Sequence, residues 1–456
     1  MDIVILGGGK VGETLCQILA EEHHEVMMIE SNEEVLDELM NNYDIGGVLG
    51  NGATYDVQME GGVNKCDVFI AVTESDETNI IAAITAKKIG ARYTIARVRN
   101  PEYSGQGDFL KEGMGITLMI NPEREAASSM ARMLMYPTAL NVEILGHGKI
   151  DMVEVEVGPE APMVGVQLKD YAGRFGQIMV CVVIRDDRVM IADGNTSLQV
   201  GDYITITGES KAVHDFCNLI HKGPSRINSV MIVGGGRVTN YVIPRLLRNH
   251  VRVKVLEVDE NRADKLAFEF PKAEIILGDG TKQKLLLREH VEEYDALIAL
   301  TGIDEENIFL SMFAAKKGVK KTITKVNRRD LLKIIDHMGL QSIITPHQII
   351  ANKIVQFIRS TENSEGSNLD AFQRIADGRV EVLVFKVSHS SEMINIPLKD
   401  LPIKDEVLVI CILRDGQLIF PGGHDQFLPE DEVIVATNKK GFQDLKEIMV
   451  NKGEAK

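Results

Sequence analysis

The chain has 456 residues, which excludes a single small core and suggests about three domains, with two to four admissible. Its 67 acidic residues against 50 lysines and arginines leave a formal charge of −17, which argues against nucleic acid or an anionic lipid surface as the main partner. Hydrophobic residues at 44% and charged residues at 26% belong to a folded globular chain and exclude disorder as the default.

The first element, Val4-Ile5-Leu6, reads as a buried strand that ends in Gly7-x-Gly9-x-x-Gly12 and is followed by a helical pattern through Leu15, Ile18 and Leu19. In a dinucleotide-binding turn the first glycine bends the chain, the second lets backbone approach a pyrophosphate, and the third lets helix pack on strand. Lys10 and Val11 belong to the same turn, where a helix N-terminus would hold phosphates. Glu25–Glu30 reads as a second buried strand ending on an acid, and Glu30 follows Gly12 at the spacing expected of a ribose-binding acid. That acid is placed to accept hydrogen bonds from a ribose 2′-OH and to repel a 2′-phosphate, so NAD(H) or an adenine nucleotide is favoured over NADP(H).

Two later turns extend the candidate site. Gly50-Asn51-Gly52-Ala53 follows Val48-Leu49, and its small residues would let an adenosine lie against the backbone. Thr73 to Asn79 follows Val68–Val72 and ends where a helix should begin. Asp76 fits a helix N-cap. Asn79 fits helix packing or nucleotide contact equally well. Arg97, after another strand, fits a phosphate site or a surface salt bridge. From Glu123 to Tyr136, Ala126, Ala127, Met130, Met133 and Leu134 repeat at helical spacing; either a crossover helix against a neighbouring unit or ordinary core packing explains them. Met152–Val157 and Ile178–Ile184 alternate as strands.

The chain then repeats itself at a nearly constant offset. Ile3–Val11 reappears as Val230–Val238. Ala71, Thr73, Asp76, Glu77 and Asn79 recur as Ala299, Thr301, Asp304, Glu305 and Asn307, and Arg185, Asp186 and Asp202 recur as Arg414, Asp415 and Asp431. Each copy divides into a large unit and a small β-rich one, giving expected domains 1–137, 138–224, 225–362 and 363–456, with a polar linker at Ser360–Ser367. The expected fold class is α/β: two tandem Rossmann-like, doubly wound parallel sheets, each followed by a small α+β domain. In the second copy Gly234, Gly236, Arg237, Glu257, Asp279 and Gly280 keep the first copy's pattern, but Thr239 replaces the third glycine, so the helix must sit further from the strand or repack. Pro244 should kink that helix. A bound nucleotide and an empty structural copy are both open there. Ile349, Ile350, Ile354, Phe357 and Ile358 repeat the apolar helix.

Nothing in the sequence supplies a reaction. The eleven histidines are dispersed without H-E-x-x-H, there is no G-x-S-x-G elbow, and Lys10 is followed by Val11 rather than completing a phosphate loop. A dehydrogenase would need an acid or base aimed at the nicotinamide. The expected role is therefore non-enzymatic, with an NAD-dependent oxidoreductase of unrecognised substrate site as the alternative. Five scattered cysteines, Cys16, Cys66, Cys181, Cys217 and Cys411, form no C-x-x-C pair and fit a reducing cytoplasm. Met1–Leu6 runs straight into glycines without the basic and long apolar regions of a secretory signal, so none is expected, and no apolar run approaches the roughly 18 residues of a membrane span.

The order of units, with Ala71–Asn79, Ile95–Tyr103 and Asn121-Pro122-Glu123, resembles the regulatory subunits of Trk-type potassium uptake systems, made of two RCK (KTN) domains each followed by a TrkA-C domain. The resemblance implies a cytoplasmic ring, expected to be a tetramer of eight RCK units, beneath a TrkH/TrkG-type membrane potassium channel subunit. The ring would gate potassium entry according to bound NAD(H) or ATP/ADP. By the same resemblance Lys10 and Arg237 meet phosphates across a subunit boundary, and Glu123 sits near the ligand. The second copy has Pro346-His347 at that last position.

Overall fold

The computed structural model describes residues 1–100, 103, 113–145, 150–171, 178–220, 226–328, 331, 340, 342–362, 369–376 and 378–450. Pro101-Glu102 of the strand motif and residues 363–367 of the expected linker lie outside the described residues. The first copy opens with β1 (Asp2–Leu6), α1 (Lys10–Glu21), β2 (Glu25–Glu30), α2 (Glu33–Asn42), β3 (Gly46–Leu49), α3 (Tyr55–Glu60), β4 (Val68–Ala71), α4 (Asp76–Ile89), β5 (Tyr93–Arg97), β6 (Leu118–Ile120) and α5 (Pro122–Met135). Its strands form a parallel sheet in the order β3-β2-β1-β4-β5-β6. β1 and β4 are apolar and buried on both faces, as a sheet covered by helices on both sides requires. The order reverses between β1 and β4, which is the switch point where such sheets hold ligands.

An antiparallel sheet follows, built from β7 (Ala139–Leu145), β8 (Ile150–Glu156), β9 (Ile178–Arg185), β10 (Arg188–Ile191) and β11 (Tyr203–Gly208), with α6 (Ser210–Ile220) after it. The second copy repeats the plan. Its parallel sheet holds β12 (Ser229–Val233), β13 (Arg252–Glu257), β14 (Glu274–Leu277), β15 (Ala296–Ala299), β16 (Lys321–Lys325) and β17 (Ser342–Ile344) in the order β14-β13-β12-β15-β16-β17. The helices are α7 (Arg237–Arg248), α8 (Glu260–Glu269), α9 (Gln283–Arg288), α10 (Asp304–Lys316) and α11 (Pro346–Glu362). Strands β18 (Leu369–Ile375), β19 (Val380–Lys386), β20 (Val407–Arg414), β21 (Gln417–Ile419) and β22 (Glu432–Thr437) close the chain as a second antiparallel sheet.

The chain separates into two compact units that are not its two halves. One contains Met1–Ala126 with Thr345–Ile358; the other contains Ala127–Ile344 with Arg359 onward. The apolar helices are thus exchanged, which supports the crossover reading. In the first unit Phe357 meets Tyr93 edge-on at 5.9 Å and Lys353 pairs with Glu125 at 2.9 Å. In the second unit Arg245 donates to Ser128 at 3.0 Å, and the two antiparallel sheets share one core containing Cys181, Val182, Val382, Cys411 and Ile434.

Ser360-Thr361-Glu362 is the last turn of α11 rather than linker. Burial overrides its polar composition: Thr361 is buried, and the preceding Arg359 pairs with buried Glu381 at 3.1 Å and stacks 4.0 Å from the Phe372 ring. The recurring Arg185 and Asp202 are structural, a bidentate pair at 2.7 Å that Arg414 and Asp431 repeat at 2.8 Å.

Lys321 is wholly buried, and its ammonium donates to the Ala139 carbonyl, while Ser342 donates to the Leu140 carbonyl at 2.9 Å. Burial pulls this amine down to about 7 from its usual 10.5. Because the folded value is the lower one, the cost is full below pH 7 and fades as pH rises toward 10.5. Lys321→Met should therefore stabilise the protein by about 1–3 kcal/mol at pH 6. Thermal unfolding across pH should show that gain shrinking in alkali.

Candidate functional site

Both glycine turns lie at the C-terminal ends of the parallel strands. Gly7 has φ +106° and its amide donates to the Ile29 carbonyl at 3.0 Å; a Cβ there would sit 2.9 Å from the Thr73 nitrogen. Gly12 needs its glycine for another reason, since a Cβ would collide with the Gly7 carbonyl oxygen. Gly9 has neither constraint. Its φ is −68°, open to any residue, and a Cβ would meet no protein atom within 4 Å. It caps α1 without a side-chain acceptor. Exposed Lys10 stands beside it, whereas the Val11 side chain is buried and leaves only its amide for a ligand.

Glu30 is half-buried at the end of β2. One carboxylate oxygen accepts from the Gly8 amide at 2.6 Å and the other accepts from the Ser31 and Asn32 amides at 2.7 and 3.0 Å. Burial pushes its carboxyl up, but these amides outweigh burial and hold it below the ordinary glutamate value. The acid is thus an ionised acceptor at the mouth of the turn. Asn51 is exposed and folds its Oδ1 back to the Ala53 amide at 3.1 Å. Gly52 packs so closely on Leu6 and Ile29 that no side chain fits, and its carbonyl accepts from buried Gln58 at 2.7 Å. Gln58 was not marked by the sequence pattern, although a glutamine on the inward face of a short helix was the available signal.

Asn79 resolves toward structure. It is fully buried; Oδ1 accepts from the Thr73 amide and hydroxyl at 2.9 and 2.7 Å, and Nδ2 donates to the Thr73 and Arg97 carbonyls at 3.0 and 2.9 Å. An amide so fully used holds the turn and has nothing left for a nucleotide. Asp76 is not the N-cap. Ser75 caps α4, accepting from the Thr78 amide at 3.1 Å, while Asp76 accepts from the Arg99 and Asn100 amides at 2.8 and 2.7 Å. Asp304 does the same for Asn327 and Arg328 at 2.8 and 2.9 Å.

Among the described residues Arg97 forms no salt bridge. Its Nη2 donates to the Thr73 carbonyl at 2.6 Å, and its buried Nε has no protein acceptor. Burial, and then the charge of Arg99, lower this guanidinium to about 10, against the attraction of Glu123. Glu123 likewise keeps a buried oxygen, Oε2, without a donor. The structure therefore gathers Gly7, Gly9, Lys10, Gly12, Glu30, Asn51–Ala53, Thr73, Arg97 and Glu123 along one end of the first parallel sheet.

The second turn copies the first. Gly234 has φ +106°, and Gly236, with φ −73°, again has open space where a Cβ would stand. Thr239 answers the missing glycine by donating its hydroxyl to the Gly234 carbonyl at 2.5 Å, converting a collision into a hydrogen bond. The helix α7 continues through Pro244 for the same twelve residues as α1. Glu257 accepts from the Gly235 amide at 2.5 Å and the Asp259 amide at 2.8 Å, but it is buried and faces Arg262 at 3.4 Å. Asp279 and Gly280 repeat the later turn, with Asp279 accepting from the Thr281 amide at 3.0 Å.

Two glycine turns of dinucleotide type, each on its own parallel sheet, define a tandem nucleotide-binding fold. The chain belongs to the family built from TrkA-N and TrkA-C domains: the TrkA-N domain matches residues 3–122 and 230–346, and the TrkA-C domain matches 152–221 and 382–450. It is 28% identical over 449 residues to the Trk system potassium uptake protein TrkA homolog of Archaeoglobus fulgidus, covering 98% of this chain and 100% of that one. It is also 28% identical over 453 residues to the Trk system potassium uptake protein TrkA of Vibrio alginolyticus, covering 98% of both. Among solved structures, the GsuK channel aligns with TM-score 0.65 at 17% identity, over 96% of this chain and 76% of that one. The NAD-bound GsuK channel aligns with TM-score 0.63 over the same shares.

Because nothing in the protein requires glycine at position 9, Gly9→Asp should leave the melting temperature within about 2 °C of wild type. Gly12→Ala should cost about 1–3 kcal/mol by overpacking. Paired thermal melts of the two variants check the contrast.

Proposed function

We propose that the protein is a non-enzymatic regulatory subunit of a Trk-type potassium uptake system. It binds NAD(H), or ATP or ADP in its place, at the first glycine turn and passes that occupancy to a TrkH/TrkG-type membrane potassium channel subunit. The observation that carries the reading is Gly9: the fold leaves its Cβ position open, at the tip of a helix without a side-chain cap, beside an ionised acid whose Oε2 accepts a single protein bond and keeps a lone pair for a ribose hydroxyl. A pyrophosphate fills that space and meets the free amides of α1. Glu30 reads the ribose, Asn51 to Ala53 border the adenine, and Lys10, Arg97 and Glu123 stand where the phosphates and the far end of the ligand lie. Family membership and the full-length likeness to potassium uptake proteins supply the transport context.

No helix among the described residues is long and apolar enough to cross a membrane; in this reading a separate membrane subunit carries the ion. Self-association would occur on α4 and α10, where Ile81 and Phe309 occupy equivalent positions and are 53% and 70% exposed. Four chains joined there would form the eight-unit ring at the inner face of the membrane. Ligands with different preferences for two ring shapes would shift the population between them by their differential affinity.

Calorimetric titration tests the sensor. Wild type should bind NADH and ATP competitively, and Glu30→Ala should weaken NADH about 10- to 100-fold by removing charge-assisted bonds to the ribose. Absence of any nucleotide binding would overturn the reading.

A further inference from the structure

The two glycine turns sit in different electrical surroundings. From Val11 to Asn64 the first copy carries twelve acidic residues and neither lysine nor arginine. The matching stretch of the second copy, Val238 to Glu292, carries nine acidic and ten basic residues. A ligand with one more phosphate is therefore repelled by the first lobe and weakly attracted by the second.

The difference is sharpest at the ribose acid. Val35, which packs over Gly8 in the first copy, corresponds to Arg262 in the second. Arg262 lies 3.4 Å from Glu257 and 3.7 Å from Asp259, yet its side chain is 55% exposed. Glu257, only 3% exposed where Glu30 is half-buried, lies behind that guanidinium, so a ligand meets the cation before the acid. Thr54 corresponds to Lys282, which faces Asp279 at 3.5 Å and is itself mostly exposed. Beside this turn a cleft opens, lined by Gly278, Asp279, Lys282, Lys284 and Arg288. The acid in its lining, Asp279, already faces Lys282, and Asp259 shares Arg262 with Glu257.

We propose that the second glycine turn takes a 2′-phosphorylated adenine dinucleotide, with Arg262 gripping the 2′-phosphate, while the first turn rejects it. The pyrophosphate lies over Gly236, whose Cβ position is open, and against the uncapped start of α7. The exposed edge of the Arg262 guanidinium supplies two parallel donors, and Lys282 adds a second cation. This rests on the nucleotide-sensing reading and gives the second site a ligand class of its own: one chain then reports on both the phosphorylated and the unphosphorylated dinucleotide.

The test is titration of NADPH and NADH into the full chain and into Gly9→Asp, Gly236→Asp, Arg262→Ala and Arg262→Lys. NADPH should bind once per chain, persist in Gly9→Asp and vanish in Gly236→Asp. It should weaken about tenfold in Arg262→Ala and recover part of that loss in Arg262→Lys, the effect of one charge-assisted contact. NADPH that fails to bind, that is lost in Gly9→Asp, or that is indifferent to Arg262→Ala overturns the proposal. Failure of NADH to bind anywhere overturns the sensor reading instead, so the two outcomes are distinguishable.

Discussion

A carboxylate at the end of the second strand of each parallel sheet binds the middle glycine amide of the neighbouring turn, Glu30 to Gly8 at 2.6 Å and Glu257 to Gly235 at 2.5 Å. This bond fixes where the chain leaves β1 and β12, and therefore where the following helix begins. It also orients the second glycine outward, away from every protein atom. The positive φ of Gly7 and Gly234 is the backbone cost of that turn, and close packing of Gly12 or the Thr239 hydroxyl holds the helix against it. Asn79 and Asn307 brace the opposite side of the crevice in the same way, each spending its amide on the loop after the fourth strand. At this end of the first sheet the first amides of α1, Oε2 of Glu30 and the buried Arg97 Nε and Glu123 Oε2 atoms keep hydrogen-bonding capacity.

Duplication gives the chain two such ends and lets them diverge. The shared frame is kept by bonds that do not touch a ligand, including the Arg185–Asp202 and Arg414–Asp431 pairs of the antiparallel sheets. The rim differs between the copies: Val35 against Arg262, Thr54 against Lys282, and a stretch, Val11–Asn64, without lysine or arginine against a matching one with ten. Exchange of the apolar helices places residues 345–358 with the first parallel sheet and residues 127–135 with the second.

Much of this was legible in the sequence because its signals are local. Glycine spacing, an acid at the end of the next strand, and a second run of both at a nearly constant offset specify the parallel sheets and their order of elements. The sequence is least informative where burial outweighs side-chain type. Asn79 and Asp76 are polar residues near a turn, and only their satisfied partners distinguish scaffold from site. Ser360-Thr361-Glu362 has linker composition, yet Arg359 stacking on Phe372 and pairing with Glu381 extends the helix through it. Gln58 and Lys321 escaped notice because a buried polar side chain carries no periodic signature. The cation at Arg262 was visible as a residue but acquired meaning only when its guanidinium was found over Glu257.

In the proposed role, nucleotide held at the first glycine turn controls potassium movement through a separate membrane subunit. Potassium flux through that subunit in proteoliposomes, measured with wild type or Gly9→Asp protein while NADH is exchanged for ATP, tests it most directly. Flux should change with the nucleotide for wild type and be independent of it for Gly9→Asp. Flux that responds equally with both proteins, or with neither, would contradict it.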